Sequence, residues 1–239
     1  MKSRALLVVL IASTCLPALR AQTAPSAGDP LPAPTGSGSA PPISGTVSSD
    51  VYTSATGAFR IKIPVLPQLG GAISDTPNVV TFDDDFTTHI SIGAFPLSHE
   101  MKWEYDTRGT KDFLAYFFAS FVMPDFVSRF PGARMEDTGV FLPKYLDGAM
   151  LIGSLLPGGS FFAQRATLTP PTEPIVAKRG NLCFVKSGYV FVVSTELPER
   201  VLERSTFKKT AEEENILLRD RLMAVVSKME FIPPPEAKN

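Results

Sequence analysis

Cysteine, histidine and tryptophan are scarce in this sequence of 239 residues, with two, two and one respectively. Each scarcity excludes something. Cys15 lies in an N-terminal segment that reads as a removable leader, which leaves Cys183 alone in the mature chain. A disulfide-stapled scaffold is thereby excluded, although an exported protein could carry one. Cys183 sits in the strand-like run LCFV and reads as a small buried hydrophobe, with intermolecular thiol pairing as the alternative. The two histidines restrict metal and nucleophile chemistry. His99-Glu100 starts like a zinc-protease helix, but Lys102 and Trp103 follow where a second ligand is required. Gly153-Ser154 lacks the glycine that would follow a nucleophile elbow, and Gly70-Gly71 and Gly158-Gly159 lack the lysine of a phosphate loop. No cofactor fingerprint or metal-ligand pattern is present. The 24 acidic residues leave a two-carboxylate hydrolase open, although no pair stands out.

Excess positive charge is also missing. Removing Lys2, Arg4 and Arg20 with the leader takes 23 basic residues down to 20, against 24 acidic ones. The mature chain is mildly acidic, with no footprint for nucleic acid. The apolar run Leu6–Ala12 is too short for a permanent membrane span, so the mature chain carries no transmembrane helix.

What is present begins with MKSRALLVVLIASTCLPALRAQ. A basic start, a short apolar run and a small-residue region make residues 1–21 a signal peptide. Ala12-Ser13-Thr14-Cys15 loosely resembles a lipoprotein signal, so a lipid anchor through Cys15 is the alternative to release into the periplasm or medium. Residues 22–49 are rich in Pro, Ala, Ser and Gly and have no aromatic side chain. They read as a disordered linker, since they hold too little apolar surface to offset the entropy of ordering. Residues 50–232 read as one globular domain, and 233–239 as a tail.

Within the domain, GAFRIKIP alternates apolar and basic residues at the period of a half-buried strand, stopped by Pro64. NVVTF and TTHISIGAF read as a hairpin around Asp83-Asp84-Asp85. Parity puts Ile90 and Ile92 on one face and His89 and Ser91 on the other. Asp85 and His89 are then about 13 Å apart at ~3.3 Å per residue, too far to share a metal ion. TKDFLAYFFASFVM reads as a helix from Thr110, closed by Pro124, with Phe113, Phe117 and Phe121 at four-residue spacing. Its apolar face either packs into the core or lines a groove for an apolar ligand. ARMEDTGVFL, DGAMLIGSLL, FFAQRATL, NLCFV and YVFVVST read as further strands, the last two joined at Lys186-Ser187-Gly188. Thr210 with Glu213 forms a capping box opening an amphipathic helix whose stripe is Leu218, Leu222, Val225, Val226 and Met229.

The sum is an α+β domain, a mostly antiparallel sheet flanked by two main helices. The GAFRIKIP strand after a flexible exported leader, the helix after the first strands and the terminal helix ending in KMEF resemble the PsbP-like fold in element order over residues 50–231. That fold is shared by an extrinsic photosystem II subunit, a nuclear-import factor that binds a small GTPase, and many uncharacterised bacterial envelope proteins. No metal or partner residue transfers to this sequence on that basis, and a shared fold does not fix a role.

The most binding-like segment is HEMKWEYDTRG. Here Trp103, Tyr105, His99, Glu100 and Arg108 lie between a strand and the first helix, as contact residues or as a crossover covering the core edge. The sequence therefore points to an exported, non-enzymatic accessory or binding protein of the bacterial envelope, without cofactor, that meets an envelope protein or a small apolar ligand. A secreted hydrolase using carboxylates or His99, and a carrier of an apolar ligand, are the alternatives.

Overall fold

In the computed structural model, residues 43–136, 139–163, 175–203 and 206–233 are described. Residues 1–42, which the sequence reads as leader and linker, lie outside them, as do 164–174 and 234–239; most of the FFAQRATL run falls in that gap, and its described part, 161–163, is not a strand. Among the described residues twelve strands fall into two sheets, and every pairing is antiparallel. The small sheet has the order β1 (Thr46–Ser48), β2 (Val51–Thr53), β3 (Phe59–Lys62), β12 (Met229–Phe231). The large one runs β4 (Ala72–Asp75), β5 (Val79–Asp83), β6 (His89–Pro96), β11 (Tyr189–Glu196), β10 (Val176–Lys186), β9 (Ala149–Pro157) and β7 (Arg134–Met135). The short strand β8 (Val140–Leu142) also pairs with β9.

Alternation decides which face each strand gives to which neighbour. Phe82, Ile92, Leu182, Phe184 and Phe191 point to one side of the large sheet. There they meet Tyr52, Phe59 and Ile61 of the small sheet and Leu222 and Val226 of the long helix α5 (Ala211–Val226), which follows the short helix α4 (Glu199–Leu202). Tyr52 meets Phe82 edge-on at 5.6 Å, and Phe184 stacks on Phe191 at 5.1 Å. Each such buried ring contributes about 1.5–3 kcal/mol. Helix α5 lies so close to β10 that a Cβ on Gly180 would come within 2.8 Å of the Leu218 Cβ. Only glycine fits there. The opposite face carries Cys183, Val190, Val192 and Ile152 under a helical layer contributed by Phe113, Leu114, Phe117 and Phe118. The order of layers is helices, large sheet, then small sheet with α5. This is the α+β architecture read from the sequence.

Several elements match their local signals. Ser187 and Gly188 both have positive φ, 49° and 76°, as the tight primed turn of β10–β11 requires. The Thr210–Glu213 capping box is complete, with each side chain meeting the other residue's backbone N–H. The aspartate run is a turn, wider than three residues: β6 starts at His89, leaving Asp84–Thr88 as the loop. Asp84 Oδ1 accepts the N–H groups of Phe86, Thr87 and Thr88, each at 2.9 Å, which holds that loop together.

Four expectations need correcting. Residues 99–108 form a helix, α1, where a crossover was read; Ser98 caps it, accepting the Met101 N–H, and Lys102–Asp106 and Glu104–Arg108 pair along it. The next helix does not stop at Pro124. After α2 (Thr110–Phe117) comes one π turn, Phe118–Val122, then α3 (Met123–Arg129) with Pro124 in its first turn, where a missing N–H costs nothing. The KMEF segment turns off the terminal helix into β12 and pairs with β3. The chain also joins the fold before Asp50. Ile43 packs on the core, and the Ser44 and Gly45 N–H groups bond to the Asp75 carboxylate at 2.6 and 2.7 Å.

Candidate functional site

The helical layer covers only part of the large sheet. It sits over β9, β10 and β11, and between α3 and the face of β4–β5–β6 an open cleft of about 600 Å³ remains. Its floor is a property of register. Ser74 pairs with Thr81, Thr81 with Ser91, Ser91 with Ser194, and Ser194 with Asn181, so one line across five strands carries small polar side chains. Thr81 and Ser91 hydroxyls lie 3.1 Å apart. The Ser194 hydroxyl donates to Asn181 Oδ1 at 2.7 Å, and Asn181 Nδ2 donates to the Ile152 carbonyl and to Ser154 Oγ, both at 3.0 Å. Towards β10 the line is bonded and buried; towards β4 it opens into the cleft.

Phe121, Val122 and Phe126 form the wall. The π turn puts them there. Phe113, Phe117 and Phe118 are buried, and the next buried position is Met123, five residues on rather than four. Phe121, expected to continue the stripe of Phe113 and Phe117, is 49 % exposed and faces the opening. Such a turn rotates everything after it by about one residue, and it recurs at functional sites.

Arg179 closes the inner end. Its side chain is 13 % exposed, one Nη donates to the Gly159 carbonyl at 3.1 Å, and Nε is buried without an acceptor among the described residues. The neighbouring Glu196 carboxylate lies 3.9 Å away and is engaged by the Ser160 hydroxyl and the Phe161 N–H. Burial holds the Arg179 guanidinium below its ordinary pKa; Glu196 opposes that shift and Arg129 adds to it. Burial likewise raises the Glu196 carboxyl against the pull of those hydrogen bonds. His89 stacks on Phe161 at 4.6 Å, on the side parity assigned to it. At the rim, Arg129 pairs with Asp125 at 3.1 Å.

The five residues singled out in the sequence lie elsewhere, on α1. His99, Glu100 and Trp103 are exposed, Trp103 by 63 %. Tyr105 turns inward, edge-on to Phe113 at 5.3 Å, with its hydroxyl 3.2 Å from Thr110 Oγ1. Arg108 pairs with Glu104 and lies over the Tyr116 ring at 4.3 Å. Tyr105 and Arg108 brace α1 against α2, and none of the five lines the cleft. Ser154 is fully buried inside β9, a strand and no elbow. Arg179 and the polar line went unread because Lys178-Arg179 masks the start of β10, and cross-strand register is absent from a linear pattern.

Among the described residues no helix is long and apolar enough to cross a membrane. Neither a protein-family model nor a curated protein matches this chain. Among solved structures it is similar to the cyanobacterial PsbP (CyanoP) of Synechocystis sp. PCC 6803, with TM-score 0.45 and 13% identity over 84% of this chain and 100% of that one. It is also similar to a protein of Bacteroides thetaiotaomicron VPI-5482, with TM-score 0.37 and 12% identity over 78% of this chain and 50% of that one. No residue or role is carried over from either.

Proposed function

We propose that this chain is an exported, non-enzymatic binding protein that holds a small amphipathic molecule in the cleft beside α3. One observation carries the reading: a recess of about 600 Å³ with aromatic rings on one wall and a line of hydroxyls on its floor. That volume falls in the range of small-ligand sites, and a mostly apolar lining with a few placed polar groups is their usual composition. In support of a binding role rather than hydrolysis, the exposed His99-Glu100 pair and the buried Ser154 lie apart from the recess.

The neutral fluorophore 1-aminoanthracene is the direct probe. Titrated into the mature chain, it should bind with micromolar affinity, and Phe121→Asp should weaken it about tenfold by placing a charge on the apolar wall. Phe121 is half exposed, so the variant keeps its fold. Absence of binding, or equal binding by the variant, overturns the reading.

Export rests on residues 1–21 and has its own check. Intact mass of the protein recovered from the cell envelope or medium should begin after Ala21, or at a lipidated Cys15 for the anchored alternative. A chain retaining Met1 in the cytosol refutes it.

A further inference from the structure

The cleft has a polarity that defines its ligand more closely, provided that the binding reading above holds. A guanidinium has five N–H donors in a planar fork. At Arg179 the described structure accounts for one donor, to the Gly159 carbonyl at 3.1 Å. Nε has no acceptor, and the Glu196 oxygen at 3.9 Å is beyond hydrogen-bonding distance. That carboxylate is turned to Ser160 and Phe161 instead. Glu196 at 3.9 Å and the Phe126 ring at 5.9 Å offset part of its charge, but a buried cation with so few directed bonds is costly unless something completes its shell. Arg179 also borders open space, at the end of a recess with Arg129 on its rim.

The other end is lined by hydroxyls, those of Ser74 and Thr76. Four strand-to-strand steps separate β4 from β10 in the sheet order, roughly 19 Å at ~4.8 Å per step. Asp75, next to Ser74 on β4, alternates to the opposite face, where its carboxylate accepts from the Ser44 and Gly45 N–H groups and the Tyr52 hydroxyl. An elongated molecule lying across the strands would meet a guanidinium at one end and hydroxyls and rings along its body.

We infer that the cleft takes a carboxylate-headed amphiphile, its head paired with Arg179 and its apolar body laid against Phe121, Val122 and Phe126. Planar two-point pairing with a carboxylate is the contact a guanidinium makes best.

Dodecanoate and dodecan-1-ol share one tail and differ at the head, so competition of each against 1-aminoanthracene on the mature chain separates the two parts of the site. The wild-type chain should prefer dodecanoate about tenfold. Arg129→Gln should reduce that preference about two- to fivefold, since its charge acts from the rim. Arg179→Met should abolish it, bringing the ratio of the two affinities to about one. Equal affinities in the wild-type chain, with the fluorophore still bound, overturn the head-group assignment and leave the cleft reading standing. A fluorophore that never binds overturns both. Should circular dichroism show Arg179→Met unfolded, the wild-type ratio and Arg129→Gln decide: a tenfold ratio that falls in the variant sustains the inference, and an unchanged ratio overturns it.

Discussion

Replacing Lys178 with methionine is expected to cost about 3–5 kcal/mol, since it breaks a buried charge cluster by removing one partner. The side chain is fully buried, on the face of β10 opposite Arg179, under the start of α5. Its Nζ lies 3.1 Å from Glu214 Oε2 and 2.9 Å from Glu136 Oε2. Glu136 Oε2 has no partner of hydrogen-bonding geometry, so that contact acts as a charge pair and not as a directed bond. Glu214 has a second cation, Arg200, at 3.0 Å, whereas Glu136 has only Lys178 among the described residues. Methionine keeps most of the volume and removes the charge, leaving one buried carboxylate uncompensated. Urea unfolding should show the loss, and Tm should fall by roughly 10 °C. Adding Glu136→Gln should recover part of it, with a coupling above about 1 kcal/mol in the double-mutant cycle. A single-mutant loss under about 1 kcal/mol would mean that the cluster is solvated and contributes little.

Acid should weaken the fold through His89, earlier than through its carboxylates. Burial first, and then the nearby Arg179 charge, lowers this imidazole from 6.5 to about 3. Its Nδ1 is buried with no acceptor among the described residues, which gives a proton there no partner. The sign follows from proton counts. Between pH 6.5 and about 3 the unfolded chain binds a proton that the folded chain refuses, so stability falls as pH falls through this window. By pH 4 the loss from this group is about 3 kcal/mol, at ~1.4 kcal/mol per pH unit. Six carboxyls bear on the same profile. Glu196, raised by burial, acts with the opposite sign just above its ordinary value of 4.5. Burial opposes but does not cancel the hydrogen bonds that lower Asp75, Asp84 and Glu199, and hydrogen bonds to Lys62 and Thr210 lower Asp50 and Glu213; these five add losses only below their ordinary values of 3.8 and 4.5. Comparison with His89→Phe isolates the imidazole. The phenyl ring keeps the stack on Phe161 and cannot titrate, so its urea midpoint should stay higher than wild type from pH 6 to pH 4 after normalisation at pH 7.5. Parallel profiles would place the acid lability elsewhere.

The strands were legible wherever a side chain's environment repeats along its own segment. Phe59 and Ile61 are buried while Arg60 and Lys62 are exposed, as alternation requires. The Thr210 box and the Ser187-Gly188 turn are equally local. Legibility failed where partners are distant. Lys178 and Arg179 point to opposite faces of β10 and are matched by Glu214 and Glu196, so two adjacent charges that precede the apolar run NLCFV lie inside the strand. The hydroxyl line is spread over strands from Ser74 to Ser194 and takes shape only once they pair. Helix α1 could have been read from Ser98 and its two i,i+4 ion pairs, but Trp103 and His99 drew attention to chemistry instead. The broad apolar stripe of the next helix was read correctly up to Phe118. Beyond it, a period of 3.6 assigned Phe121 to the core.

That five-residue turn holds one residue more than an α turn needs. Removing one from Phe118–Val122 would let the α pattern run straight through, with Phe118 and Met123 keeping the inward positions they hold now. The residue lost would come out of the stretch that lines the opening, and neither the sheet beneath nor α5 behind it would need to change. A change of one codon can therefore reshape this wall without remaking the protein around it.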